Sequence, residues 1–374
     1  MAQNQIYENL KITKQLTPTQ FDKLMASGFF RNGQSMFKTQ LMLMDEHLYT
    51  SIGIRLNLAT HTLSKSLNKI FKKNTKKFTV KVNQASLNNE KQALWVQHQH
   101  RFVGASTYSL YHHFCYEGYN HFDSWEVCVY DQEKLVAVSF FDLGQNSIAS
   151  LLGIFDQNYQ KDSLGLYTML VEIAVAKKIG LQYYYPGYVL DQPSLFDYKL
   201  RLGNFQQYNW QTGRWKAYDQ SFLPTIATIT SQKMATLAQK LDHEQLGYAK
   251  KYYQFYLWKY FKEFPDYQWL YPSPILFVLG YTKNEDRGIL SISFDADTQN
   301  YFLSIATTHV PVANMMGMVM FSDNSLNPML YMVDALKIKK KIFEDPDLDL
   351  VISETKKFLA YFPNTATLLF EKNQ

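Results

Sequence analysis

Between Leu135 and Phe141 the chain is almost continuously apolar, as expected of a strand buried on both faces. Ile148 to Phe155 repeats the pattern after a short polar break and reads as its antiparallel continuation. Asp156 to Asp162 is a polar loop leading to a helix. Ser163 is placed to cap that helix, and Gly165 leaves room for another backbone at its first turn. Leu166, Leu170, Ile173, Ala174 and Lys177 then keep the helical period until Gly180. Gln182 to Tyr185 is a short strand that Pro186 and Gly187 end or splay. This order sets a helix N-terminus against a strand opening, a gap in which a small ligand can sit.

The flanking segments follow other periods. Thr60 to Lys77 predicts an amphipathic helix with Leu63, Leu67, Ile70 and Phe71 on one face and Lys65, Lys69, Lys72, Lys73, Lys76 and Lys77 elsewhere. Ser86 to Tyr119 is helical and aromatic, and Trp125 to Tyr130 is a strand with Cys128 facing inward. Thr228 to Phe264 reads as a long helical region, broken near His243 to Gly247 and closed by Pro265. Three strands follow, Ile275 to Tyr281, Gly288 to Phe294 and Tyr301 to Thr307. A last helix opens at Asp345-Pro346 and runs through Leu348, Ile352, Lys356, Phe358 and Leu359.

A length of 374 residues predicts two or three compact units. We expect boundaries giving units 1–105, 106–222 and 223–374, the last an appended α+β unit suited to docking or dimerisation. No apolar run follows a basic N-terminal segment and none is long enough to span a bilayer, so a cytoplasmic protein with no membrane partner is expected. Two cysteines, Cys115 and Cys128, are too few for a disulfide framework or a four-thiolate metal site. His98, His100, His112 and His113 lack the carboxylate-supported i, i+4 spacing of a zinc site, and no metal is expected. The net charge of +5 is mild, so a polyanion would need a local basic face. The lysines of Thr60 to Lys77 supply one, since no Asp or Glu occurs from His47 to Asn89. A solvated face is the alternative.

The strand–loop–helix–strand order resembles the GCN5-related N-acetyltransferase (GNAT) type. The residues Asp156, Ser163-Leu164-Gly165, Tyr184-Tyr185-Pro186-Gly187-Tyr188, Tyr198-Lys199 and Gly213-Arg214-Trp215 resemble, in order and spacing, the arginyl-tRNA and leucyl-tRNA protein transferases. Phe30-Arg31-Asn32-Gly33, Arg55-Leu56, Ser64-Lys65-Ser66 and Lys72-Lys73-Asn74 extend the likeness toward the N-terminus. Two features depart from the family. One arginine of a pair is missing beside Arg31, and Asp45, Leu48 and Ser51 stand where relatives carry cysteines.

The resemblance implies an α+β protein with a GNAT-like transferase core, a basic N-terminal segment and an appended C-terminal α+β unit. It also implies transfer of an amino acid, of the arginine or leucine class, from aminoacyl-tRNA to the free α-amine of a protein with an acidic N-terminal residue. Charged tRNA and an acceptor protein or peptide are then the partners, and no further cofactor is called for. Because the ester is already activated, orientation and oxyanion stabilisation can supply most of the acceleration. Ser163 and the amides after it are then expected to orient the carbonyl, with Asp142 or Asp156 holding the attacking ammonium. Both aspartates read equally well as turn residues. Arg31 in its exposed Arg31-Asn32-Gly33 turn, with Lys38, would meet the acceptor's acidic side chain. Arg55, Gly165 and Gly187 would line the substrate site, Tyr185 and Tyr188 the adenosine pocket, and Tyr198-Lys199 a phosphate. Lys65, Lys69, Lys72 and Lys73 would hold RNA. Two rivals remain: a CoA-dependent N-acyltransferase, for which Gln160 to Gly165 half resembles a pyrophosphate loop, and a non-catalytic binding protein that kept the fold.

Overall fold

A computed structural model describes residues 6–99, 109–114, 119–219, 221, 224–261, 265–282, 288–308, 327–361 and 366–368. Strand β1 (Tyr7–Lys11), helix α1 (Pro18–Ala26) and the hairpin β2 (Phe30–Asn32) to β3 (Ser35–Thr39) come first, with the three strands in the order β1-β3-β2. Thr17 and Gln20 cap α1 reciprocally, each side chain bonding the other's backbone amide. The predicted turn falls one residue later than expected: Asn32 ends β2 opposite Ser35, and Gly33, at φ +59°, and Gln34 form the loop. Next, β4 (Leu41–Met44) turns into the long β5 (His47–Asn57). The two turn residues, Asp45 and Glu46, both take positive φ, as a two-residue type I′ hairpin requires.

The central sheet combines β5 with β6 (Thr79–Gln84), β7 (Ser124–Asp131), β8 (Lys134–Leu143), β9 (Ser147–Phe155), β10 (Tyr183–Tyr185), β11 (Tyr188–Leu190), β12 (Gln206–Asn209) and β13 (Arg214–Ala217). Its main path is β13-β12-β5-β10-β9-β8-β7-β6, with β4 and β11 also paired to β5. Strands from both sides of residue 105 therefore share one sheet, and segments 1–105 and 106–222 share one core. Helices α2 (Lys65–Lys77) and α4 (Leu164–Lys178) cover one face, and α3 (Asn89–His98) covers part of the other together with α1 and the small N-terminal sheet. Helix α4 lies between the sheet and α2, so ten of its fifteen residues are buried and a one-sided apolar stripe would not suffice. Ala174, expected inside, is exposed, and Ala176 takes the inward place.

The C-terminal part places α5 (Ile226–His243) and α6 (Leu348–Tyr361) against a seven-stranded sheet. Its strands are β14 (Ala249–Tyr253), β15 (Ile275–Thr282), β16 (Ile289–Asp295), β17 (Asn300–Thr308), β18 (Tyr331–Met332), β19 (Leu336–Asp345) and β20 (Ala366–Leu368). The three predicted strands are present. The second half of the predicted helical region is instead the strand β14 followed by a 3-10 turn over Gln254–Tyr260. Tyr252, Tyr253, Tyr256, Trp258 and Tyr260 are spent there on a core shared with Ile6, Tyr7, Leu41 and Leu48 of the N-terminal segment. Tyr256 Oη donates to the Leu41 carbonyl at 2.9 Å. The unit is thus joined to the rest by a continuous apolar core.

Candidate functional site

Strand β9, helix α4 and strand β10 form a crossover, and β10 runs parallel to β9. The two pair only from Ser147 to Ala149, opposite Tyr183 to Tyr185. Beyond that point β9 continues along β8 as far as Phe155. The chain after Tyr185 stays on β5 instead, through the Gly187 carbonyl on the Ile54 amide at 3.1 Å and the β11 pairing. The parallel strands therefore part at their carboxyl ends, and α4 begins at that same end. Pro186 and Gly187, with Gly187 at φ +96°, make the break possible.

Several predicted site residues occupy different surroundings from those expected. Asp156 to Asp162 is not a loop: Asp156 caps a 3-10 turn over Gln157–Asp162. The Asp156 carboxylate accepts from Lys134 Nζ at 2.6 Å and from both the backbone and side-chain nitrogens of Asn158 at 2.9 Å. Burial pushes its pKa up, but these hydrogen bonds outweigh that and hold it below the usual carboxylate value. Asp156 is therefore the turn residue of the two readings. Ser163 stands at the N-cap position in the left-handed conformation, φ 55° and ψ 45°, and its side chain makes no capping bond. Gly165 faces the Phe155 ring, 3.4 Å from where a Cβ would lie, and not another backbone.

Arg31 is not in an exposed loop. It extends from β2 beneath the central sheet, where its side chain is 3 % exposed and pairs with Asp142, 1 % exposed, at 2.7 Å. All five N–H groups are used. Nε donates to the Gly33 carbonyl, Nη1 to Asp142 and Ser124 Oγ, and Nη2 to the Phe114 carbonyl and Asn120 Oδ1, with Phe122 stacked 3.9 Å below. Neither Arg31 nor Asp142 has capacity left for a substrate, and together they tie the N-terminal hairpin to β7 and β8. Lys38, expected beside Arg31, pairs with Glu8 at 2.9 Å and lies over the Phe29 and Trp210 rings. Asn32 ends β2 and Gly33 opens the turn after it.

Arg55 is the contrasting case. From β5 it points to the face opposite α4, stacked between Tyr183 at 3.9 Å and Trp215 at 4.5 Å. Nε donates to Gln206 Oε1 at 2.8 Å and Nη1 to Tyr185 Oη at 3.1 Å. Tyr185 itself is buried beside Phe21, Met25 and Ala149, which leaves no ring face for an adenine. Tyr188 packs between Phe30 and Phe196.

Lys199 lies next to the strand break. Its Nζ donates to the Tyr188 carbonyl at 3.1 Å, sits 4.9 Å from the Phe196 ring, and is 3.4 Å from where a Cβ on Gly187 would lie. Burial without a carboxylate pushes its pKa down to about 8. The unfolded chain then binds the proton more tightly, so the penalty is full below about pH 8 and disappears as pH rises toward 10.5. Lys199→Met is expected to raise the unfolding midpoint at pH 7 and to lose that advantage near pH 10.5, as urea titrations at the two pH values would report. Tyr198 beside it is exposed.

Glu172 was not foreseen. It is fully buried on α4 under the parting strands, accepting from Tyr184 Oη at 2.8 Å and Ser150 Oγ at 3.4 Å. A glutamate inside an apolar helix carries no sequence signal apart from its polarity. Burial raises its pKa to about 7, above the ordinary 4.5, so the folded state is favoured by acid and stability falls as pH rises between those values. Glu172→Gln should remove that slope, a gain on the order of 3 kcal/mol at pH 8. Equal pH dependence in the variant and the parent would refute this assignment.

Helix α2 lies antiparallel on α4. Lys73 and Lys77 pair with Asp162 at 2.8 and 2.7 Å, and Asn74 Nδ2 donates to the Asp162 carbonyl, while at the other end Lys177 Nζ reaches the His61 carbonyl. Lys73 is thus a neutralised staple at the start of α4. Lys65, Lys69, Lys72 and Lys76 follow i, i+4, i+7, i+11 spacing and form one exposed row opposite the buried face. Among the described residues none of these four is in an ion pair, and no group of three or more His, Cys, Asp or Glu is placed to hold a metal. Cys128 is a buried free thiol with its pKa pushed up to about 12, and His98 packs on Phe155; Cys115 and His100 lie outside the described residues. Ser51 and Leu48 are buried, and Ser51 Oγ donates to the Thr39 carbonyl. No described helix is long and apolar enough to cross a membrane.

The segment carrying this geometry also has known counterparts. Residues 70–209 match the model of the C terminus of arginine-tRNA-protein transferase. An aspartate/glutamate leucyltransferase of Campylobacter jejuni is 26 % identical over 186 residues, 48 % of this chain and 75 % of that protein. One from Leptospira interrogans is 26 % identical over 203 residues, 50 % of this chain and 72 % of the relative. Arginyl-tRNA–protein transferase 1 of Saccharomyces cerevisiae is 36 % identical over 76 residues, 20 % of this chain and 15 % of the yeast protein. The matched segment spans the β9–α4–β10 crossover, the strand break and most of α2, so the part of the chain that carries this geometry is the part that is similar to the aminoacyl-tRNA–protein transferases.

Proposed function

We propose that this protein moves an amino acid, of the leucine or arginine class, from aminoacyl-tRNA to the free α-amine of an acceptor protein whose first residue is acidic. The observation that carries the reading is the parting of β9 and β10 at the start of α4, inside the segment shared with the transferases. The crossover with its parted parallel strands is a GNAT-like core in this reading. The row Lys65, Lys69, Lys72 and Lys76 holds the RNA by its phosphates, and Tyr198 with Lys199 meets one nearer the 3′ end. The Ser163 amide is spent on the Gln160 carbonyl at 3.2 Å, but those of Leu164 and Gly165, in the first turn of α4, have no acceptors within the helix. They are the groups available to the ester carbonyl as negative charge grows on its oxygen.

The acceptor amine needs little activation. A free α-amine has a pKa near ~8 and is partly neutral at physiological pH, so holding it against the ester supplies most of the rate. Transfer forms the amide N–C bond, breaks the ester C–O bond and returns a proton to the ribose oxygen. The co-substrate is charged tRNA and no other cofactor enters. Such a protein works where charged tRNA is, which supports the cytoplasm.

Incubation with labelled leucyl-tRNA or arginyl-tRNA and a peptide beginning with Asp, beside acetyl-CoA and the same peptide, tests the proposal. Label passing to the peptide from one of the tRNAs is expected. Label from CoA alone, or from neither, would overturn it.

A further inference from the structure

We propose that Arg55 is the group that reads the acidic side chain of the acceptor, by a paired hydrogen bond from its guanidinium to the carboxylate. This rests on the transfer reading for its biological meaning, but the site itself stands on the geometry around Arg55. Among the described residues two buried arginines lie on the same face of the central sheet, and they are treated differently. Arg31 has a carboxylate and every donor used. Arg55, 9 % exposed, has only neutral partners: Gln206, the Tyr185 hydroxyl and the rings of Tyr183 and Trp215. Among the described residues no carboxylate pairs with it and Nη2 carries no hydrogen bond.

A guanidinium held this far from water without a counter-ion is costly, and the cost is recovered when an anion arrives. The stacked rings fix the plane of the fork while Gln206 and Tyr185 hold Nε and Nη1, so the outer edge is already oriented for a planar two-oxygen acceptor. The enclosure favours a carboxylate at the end of one or two methylenes over an RNA phosphate. A backbone phosphate is bulky, flanked by riboses, and would have to enter between Tyr183 and Trp215. The lysine row, besides, belongs to the helix layer on the other side of the sheet.

The test is calorimetric titration of the full chain with a peptide beginning with Asp and with its Asn counterpart, for the parent and for Arg55→Met and Gln206→Glu. Gln206→Glu places a carboxylate 2.8 Å from Arg55 Nε and satisfies the charge from within. It should raise the thermal midpoint, so loss of binding in this variant cannot be put down to misfolding even if Arg55→Met fails to fold. The parent should bind the Asp peptide about 100-fold more tightly than the Asn peptide, and both variants should bring that ratio close to one by weakening only the Asp peptide. A parent that does not distinguish the peptides, or variants that keep the ratio, would overturn the assignment. So would variants that lose an RNA hairpin with a single-stranded 3′ end while still preferring Asp. Discrimination present in the parent and lost in Gln206→Glu, with no transfer from any charged tRNA, would leave the carboxylate site standing and remove the transfer reading.

Discussion

Arg31→Ala is expected to destabilise the protein by about 3–5 kcal/mol, the usual cost of removing one partner from a buried ion pair. The reason lies less in the lost attraction than in what stays behind. Asp142 would remain 1 % exposed with Ser124 Oγ, 2.5 Å away, as its nearest donor, the Gly33 carbonyl would lose its donor, and the Phe114 carbonyl would keep only Gln34 Nε2. The Phe122 ring would also lose the guanidinium stacked on it. A double replacement, Arg31→Met with Asp142→Leu, should recover much of the loss, because it removes the stranded charge along with its partner. Urea unfolding of the two variants and the parent measures this. A single variant as stable as the parent would show that the pair is not buried as described. The result also separates two roles for Arg31, since a substrate-reading arginine would lose acceptor preference with little change in stability.

Replacing Lys65, Lys69, Lys72 and Lys76 together by alanine should weaken tRNA binding about 100-fold at low salt. It should also flatten the dependence of log affinity on log salt by about 3, given four phosphate contacts at roughly 0.7–0.9 each. The row extends over eleven residue steps of helix, roughly 16 Å at 1.5 Å per residue, a length that reaches several successive phosphates. Stability should hardly change, because the four side chains are exposed and alanine favours the helix. The matched control is Lys73→Ala with Lys77→Ala. It frees Asp162 at the start of α4 and should lower stability, with a smaller change in the salt slope. Filter binding from 50 to 300 mM salt resolves the two. An unchanged slope in the fourfold variant would take the RNA off this face.

The two lysine groups show how far sequence could go. Spacing alone put all six residues on an amphipathic helix, and the absence of acidic residues nearby made them look equally available. Asp162 is 89 and 85 positions away from Lys73 and Lys77, and only the antiparallel packing of α2 on α4 brings them together. The strand break was legible for the opposite reason. It depends on Pro186 and Gly187, whose backbone preferences act locally, and on a crossover whose strand and helix periods lie within fifty residues. The helical reading past His243 failed because periodicity among aromatic residues does not separate a buried helix from a strand and turn when the whole segment is inside a core.

Local periodicity, turn chemistry and short motifs at fixed spacing were enough to read the β9–α4–β10 order, the hairpin at Gly33, the amphipathic α2 and the likeness to the transferases. Which charges are satisfied emerged from the fold alone. Arg31 and Arg55 look alike along the chain, yet one meets Asp142, 111 positions away, and the other meets no carboxylate at all among the described residues. The physical reason is that desolvation and pairing depend on distances in space, and nothing in the neighbouring residues of either arginine encodes them.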